Sequence, residues 1–259
     1  MTAFDLLFTR NIPEHIRFSG FTTPHYIYLL AAALYICTVA ILAKRAGAAK
    51  REKMLVFFTW ALPCVYLFRF TVFFLLDVFV EPQTTLLDRL PIHLCTMNAI
   101  IMPLAVFSKN KYLLNFIYAV SIPGAASAML TPAMSYYGWY FYMGWHVSFF
   151  FLDHATMLLV PILAIISGRL RPDIKTMPKA MAVFLSYAGV IYIIDKLTGE
   201  NLLFLNWPDE GTLLSLMADY LGNPGYIGGL AGLTAVIIIL MYLPWIIAAR
   251  RGAKYKSIQ

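Results

Sequence analysis

The sequence predicts an all-α fold, a polytopic membrane helix bundle, and three observations predict it. Of the 259 residues, 61% are hydrophobic and only 13% charged, against roughly 25% charged in an ordinary soluble domain. The apolar residues form continuous runs of the length a helix needs to span about 30 Å of hydrocarbon, roughly 20 residues, and not the alternating pattern of a membrane barrel. The Lys and Arg residues cluster between those runs, as cytoplasmic loops retain them. Nineteen Phe and sixteen Tyr, with fifteen Gly and fourteen Pro, exclude a disordered or collagen-like chain.

Seven runs qualify as spans: Tyr26–Ala43, Met54–Leu76, Leu90–Phe107, Leu113–Leu130, Tyr142–Ser167, Ala180–Ile194 and Tyr226–Ala249. Seven crossings with the C-terminus inside place the connections after spans one, three and five in the cytoplasm, and those are the basic ones. They carry Lys44, Arg45, Lys50, Arg51 and Lys53, then Lys109 and Lys111, then Arg169, Arg171, Lys175 and Lys179; the tail adds Arg250, Arg251, Lys254 and Lys256. Outer segments hold only Arg10, Arg17, Arg89 and Lys196, and Arg69 lies inside a span. The predicted topology is N-out and C-in. The sixth run is short and ends at Asp195 and Lys196, so six spans with one re-entrant segment is the alternative.

The chain reads as one integral membrane domain over 1–259. Residues 1–23 lack the basic start and apolar core of a signal peptide and read as an extracytoplasmic interfacial segment. Residues 198–224, with Trp207, Pro208, Asp209 and Glu210, read as an extracytoplasmic loop or cap. Tyr136, Tyr137, Trp139, Tyr140 and Trp145 are expected in an interfacial aromatic belt. No internal repeat of the inverted-transporter kind is present. The net charge of +7 does not form the continuous basic face of a nucleic-acid binder. Cys37, Cys64 and Cys95 all sit in apolar runs, so no disulfide framework and no CxxC motif is present.

Ionisable groups at membrane depth are costly and face polar interiors. Counting from the cytoplasmic anchors at about 1.5 Å per residue, Cys95 lies roughly 21 Å in, His154 roughly 22 Å and Arg69 roughly 24 Å. Asp195 reaches the same level in the outer half of the membrane. A polar chamber opening outward would gather all four. Asp153 is placed to orient an imidazole or to pair with Arg69, and His146 lies about two turns outward from His154. Each has a plain alternative: cysteine packs well in apolar cores, and a membrane histidine or arginine often makes a structural bond between helices.

A thiol and an imidazole at one depth can perform acyl transfer. The thiolate attacks an ester carbonyl, the imidazole removes and returns the proton, and the acyl group waits as a thioester. Asn98, one turn from Cys95, or Arg69 is a candidate for stabilising the oxyanion.

The run Arg89-Leu90-Pro91-Ile92-His93-Leu94-Cys95 resembles the RLPLHLC signature of the YwaF-type integral membrane proteins. Leu130-Thr131-Pro132, the Asp153-His154 pair, Leu221-Gly222-Asn223-Pro224 and Tyr242-Leu243-Pro244-Trp245 agree in order. The resemblance covers about Arg89 to Trp245 and implies a cysteine acyltransferase related to the human ether-phospholipid-remodelling enzyme of that family. In that enzyme a polyunsaturated acyl chain passes from a diacyl phospholipid to a lyso-ether phospholipid. By this resemblance Cys95 matches the acyl-accepting thiol and His154 the base. Phospholipids and lysophospholipids would be the partners, no cofactor is implied, and a multi-pass protein of the plasma membrane is expected. The chain departs from the family at Gly124 to Met129, where relatives carry a Gln before LTP, and at Ala133, where they carry an Asp.

Three other readings stay open. The same residues could release fatty acid to water. A zinc-dependent lipid amidase would use His93, His146, His154 and an Asp, although no HxxxH pair is present. A transporter or receptor would line its cavity with Arg69, Asp153, His154 and Asp195.

Overall fold

The computed structural model of the chain describes residues 13–79, 92–132, 144–208 and 212–256. Among the described residues there are helices and turns and no strand. Helix α1 (Thr23–Arg45) carries Pro24 in its first turn, where a missing N–H costs no helical bond. It ends on the side chain of Arg51, whose Nε donates to the carbonyls of Ala43 (3.1 Å) and Ala46 (2.9 Å). Helix α2 (Ala48–Phe79) follows, then α3 (Leu94–Ser108). Helix α4 (Lys111–Leu130) starts on Asn110, whose Oδ1 accepts from the amides of Tyr112 (2.9 Å) and Leu113 (3.3 Å). Helices α5 (Trp145–Ile166) and α6 (Met177–Thr198) are each 22 residues long. Helix α7 (Leu213–Leu221) lies in the connection between α6 and α8, and α8 (Gly225–Lys256) closes the chain.

Among the described residues six helices, α1, α2, α4, α5, α6 and α8, are long and apolar enough to cross a membrane. The shortfall is in the third span and not the sixth. Helix α3 has 15 residues, about 22 Å of rise against about 30 Å of hydrocarbon. The expected start of that span at Leu90, with Arg89 and Pro91, lies outside the described residues. The sixth span is full length because Asp195, whose charge marked its end in the sequence, is enclosed: its Oδ1 accepts the amide of Leu202 at 2.9 Å and the helix runs on to Thr198.

Helix α5 is the hub, packed against α1, α2 and the second half of α4. Its most apolar stretch is 67% buried, against 11% for α1, α6 and α8. At one end of the bundle, Arg169 donates to the Val106 carbonyl (2.8 Å) and pairs with Glu52. Asn115 accepts there from the Asp173 amide (2.9 Å) and the Tyr242 hydroxyl (3.0 Å). These links gather the basic turns after α1, α3 and α5 at that end, as alternating crossings require.

Helix α4 widens to a π-helical turn over Ile117–Ser121, just before Pro123. A proline ring crowds the carbonyl four residues earlier and removes one ladder bond, and a π turn absorbs both. Hydrogen bonds leave this turn for two helices, α3 and α8. Ser121 donates to Asn98 Oδ1 (2.6 Å) on α3, and Tyr118 donates to the Met241 carbonyl (2.7 Å) on α8, three residues before Pro244.

Two further expectations change. Residues 13–23 are not simply surface: Phe18 is fully buried, its ring 6.0 Å from His25 and 6.0 Å from Phe151. Trp145 is buried in the same cluster and not in an interfacial belt, because it begins the most enclosed helix. Tyr136, Tyr137, Trp139 and Tyr140 lie outside the described residues.

Candidate functional site

The shortness of α3 matters to its chemistry. His93 is extended (φ −63°, ψ 144°) and Leu94 opens the helix, so Cys95 is its second residue. First-turn amides have no partner within their own helix and carry the positive end of the helix dipole. The thiol is therefore held where backbone donors favour negative charge, on a sulfur or on an oxygen beside it. Cys95 is half-buried, whereas Cys37 and Cys64 are exposed on outer helix faces.

Cys95 faces a small cavity lined by Leu62, Tyr66 and Arg69 of α2, Thr96 and Ala99 of α3, and Asp153, His154 and Met157 of α5. Its volume is about 20 Å³, room for one water. Arg69 Nη1 meets Asp153 Oδ2 at 2.8 Å, and the two side chains are 15% and 7% exposed. This ion pair clamps α2 to α5. His154 is 2% exposed and its Nδ1 lies 2.8 Å from the Phe150 carbonyl. A carbonyl can only accept, so Nδ1 carries the hydrogen and Nε2 keeps a bare lone pair. Nε2 is buried and has no hydrogen-bond partner. The Phe150 ring, with its centroid 4.2 Å from that of the imidazole, holds the orientation.

Four of the residues singled out in the sequence thus share one cavity: Cys95, His154, Arg69 and Asp153. The other four do not line it. Asn98 is committed elsewhere: its Nδ2 donates to the Leu94 carbonyl (2.9 Å) and towards Met157 Sδ (3.9 Å), and its Oδ1 accepts from Ser121, so it ties α3 to α4 and α5. His93 precedes α3, with its ring 6.3 Å from Phe204 in the cap. His146 is buried two turns away beside Trp145. Asp195 bonds to the loop that follows α6. The outward chamber expected to join Asp195 to the other three is absent among the described residues, because equal depth on different helices fixes level and not direction. Nor does any group of three His, Cys, Asp or Glu among the described residues form a metal-binding set, as the zinc reading requires.

The sequence reasoning missed Tyr66, Thr96, Ala99 and Met157. The signal was present in the spacing: Tyr66, Ala99 and Met157 lie three or four residues from Arg69, Cys95 and His154 on the same helix faces, and Thr96 directly follows Cys95. It also missed Tyr187 of α6, whose hydroxyl donates to the Ile92 carbonyl and so holds the approach to α3. No lipid-sized cleft adjoins Cys95 among the described residues. A larger groove of about 450 Å³ runs along α8 beside Leu240, Leu243, Pro244, Ile247 and Ala248, with no ionisable group in its lining.

Long apolar helices around a polar intramembrane cavity define an integral, multi-pass membrane protein. The chain belongs to the TMEM164 family, whose model matches residues 20–242, a stretch that includes every cavity residue. No curated protein matches the chain, and no solved structure does.

Proposed function

We propose that this protein moves a fatty acyl chain between phospholipids and lysophospholipids of the plasma membrane through a thioester on Cys95. The observation that carries the proposal is the pairing, in one cavity, of a helix-start thiol with an imidazole whose Nε2 is a buried, unshared base. The similarity of residues 89–95 to the YwaF-type signature supports the same nucleophile.

In this mechanism His154 Nε2 takes the thiol proton and the sulfur attacks the ester carbonyl of a diacyl lipid. The first-turn amides of α3, with Arg69 nearby, face the oxygen that becomes negative. Collapse breaks the ester C–O bond, the imidazolium returns the proton to the departing lysolipid oxygen, and the thioester remains. A second lysolipid hydroxyl gives its proton to Nε2 and attacks the thioester carbon; the C–S bond breaks and the departing thiolate takes the proton back from the imidazolium. The cavity is closed to an acyl chain, so α2 and α3 must part to admit the ester.

The test is incubation of purified protein with a phospholipid carrying a labelled acyl chain. Hydroxylamine-sensitive label on Cys95, lost in Cys95→Ala, is the expected result. Full transfer by folded Cys95→Ala would sink the proposal. A second reading, hydrolysis by the same pair, is favoured by the cavity volume, which fits one water. Products formed with and without lysophospholipid separate the two.

A further inference from the structure

The two helices that part to admit an ester, α2 and α3, are sealed on one side of the Cys95 cavity and half-open on the other. On α2 the residues facing the bundle recur at helical spacing. Leu55, Thr59 and Leu62 are buried, while Tyr66, Arg69 and Val72, which continue the same stripe, are only half-buried. Among the described side chains of α2 beyond Leu62 none is buried. Helix α3 changes in the same way at the same place: Asn98, Ala99, Met102, Ala105 and Val106 are buried, and Ile92 to Met97, Cys95 included, are half-buried. The sealed stretch belongs to the main apolar core. Its one hydroxyl on α2, that of Thr59, is spent on the Leu55 carbonyl (2.7 Å), and Trp60 and Phe107, with ring centroids 5.4 Å apart, cover it from the exposed side.

The sealed stretch leads to the end where the basic turns gather, since Arg169 there holds both Glu52 of α2 and the Val106 carbonyl of α3. Helix α8 brings the C-terminus to that end, where Tyr242 meets Asn115. Height points the same way. Cys95 stands fourteen residues from Lys109, and His154 twelve from the end of α5 at Ile166, about 21 Å and about 18 Å of rise. In hydrocarbon about 30 Å thick, an ester at the basic-side boundary would climb that whole distance and carry its phosphate past the apolar middle, whereas one at the opposite boundary sinks by only about 9–12 Å. Taking a charged head group through hydrocarbon is costly. The short path and the half-open seam lie on the same side of the cavity. We propose that the Cys95 cavity takes its ester from the leaflet opposite the C-terminus, the extracytoplasmic one by the distribution of Lys and Arg, through the half-open stretch between α2 and α3. Donor and acceptor are then phospholipids and lysophospholipids of that leaflet. The proposal rests on the acyltransferase reading for what happens to the lipid, and on packing and height for the side from which it comes.

The experiment separates side from chemistry. The full chain, with Cys37→Ser and Cys64→Ser to remove the exposed thiols and a C-terminal affinity tag, is reconstituted sparsely into liposomes. Vesicles whose C-terminus faces outward are captured by the tag, and the others stay in solution. A phosphatidylcholine whose sn-2 ester is replaced by a bromomethyl ketone is then exchanged into the outer leaflet of each population. The Cys95 thiolate displaces bromide and forms a C–S bond without turnover, and the adduct is read by mass spectrometry. Adduct should form at least about tenfold faster in the uncaptured vesicles, the least that carrying a phosphate past the membrane middle would impose. Equal rates, faster reaction in the captured vesicles, or no adduct in either overturns the route. Acyl transfer is measured separately in detergent micelles, where a lipid has no side. Sided alkylation without transfer would leave the route standing and remove the acyltransferase reading; transfer with unsided alkylation would do the reverse.

Discussion

Asp153 and Asp195 are both buried aspartates, and the bundle treats them in opposite ways. Asp153 meets Arg69 across two packed helices, so a cavity can stay polar without a net charge. Asp195 receives only a backbone amide and leaves one oxygen unmet. The first lies within α5, the most enclosed of the long helices; the second lies near the end of α6, one of the least enclosed. A carboxylate in a dense helix interface can be paired by another helix, while Asp195 at the bundle edge is met by its own loop.

The sharpest way to break this comparison is at the cavity chemistry. His154→Ala should lower acyl transfer by about 10² to 10⁴-fold, the usual worth of a positioned base, with the protein still folded; near-normal turnover in a lipid assay would remove His154 from the mechanism. Next in size is the ion pair. Arg69→Met or Asp153→Asn alone leaves a buried charge unpaired and should cost about 3–5 kcal/mol. The double variant should recover most of that loss, as read by urea unfolding in micelles. A double variant as unstable as the sum of its parents would mean that the two side chains do not act as a pair.

Smaller effects test the residues left out of the cavity. Ser121→Ala strips Asn98 Oδ1 of its donor in a buried place and should cost about 1–3 kcal/mol, while transfer per folded molecule stays unchanged. A drop in specific activity without a drop in stability would return Asn98 to the reaction. Smallest is Glu52→Gln. Glu52 is 43% exposed opposite Arg169, and exposed pairs are worth about 1 kcal/mol or less, so the midpoint should shift little and less still at high salt.

Much of the site could be read before any coordinates. Depth counting brought Cys95, His154 and Arg69 to one level, and the structure puts them around one cavity. The same arithmetic placed Asp195 with them and was misleading, because rise along a helix says nothing about rotation or about which neighbours a helix has. Asn98 was a candidate for a similar reason: its position one turn from Cys95 was legible, but its partner Ser121 is 23 residues away, brought round by a π turn. Local pattern carries no trace of that contact. The span boundaries erred at the polar ends, where the burial of Asp195 let the sixth helix run on to Thr198.

By itself the sequence determined that this chain lives in a membrane as a helix bundle, because 61% apolar composition and its run lengths leave the backbone no other way to satisfy its hydrogen bonds in lipid. It also determined which side chains are too polar for that setting. Only the tertiary structure decided which of them meet. Arg69 found Asp153 and not Asp195, and His154 kept one ring nitrogen without a hydrogen-bond partner beside the cavity. Such choices depend on helix rotation and crossing, set by packing among distant residues, and no spacing along the chain encodes them singly.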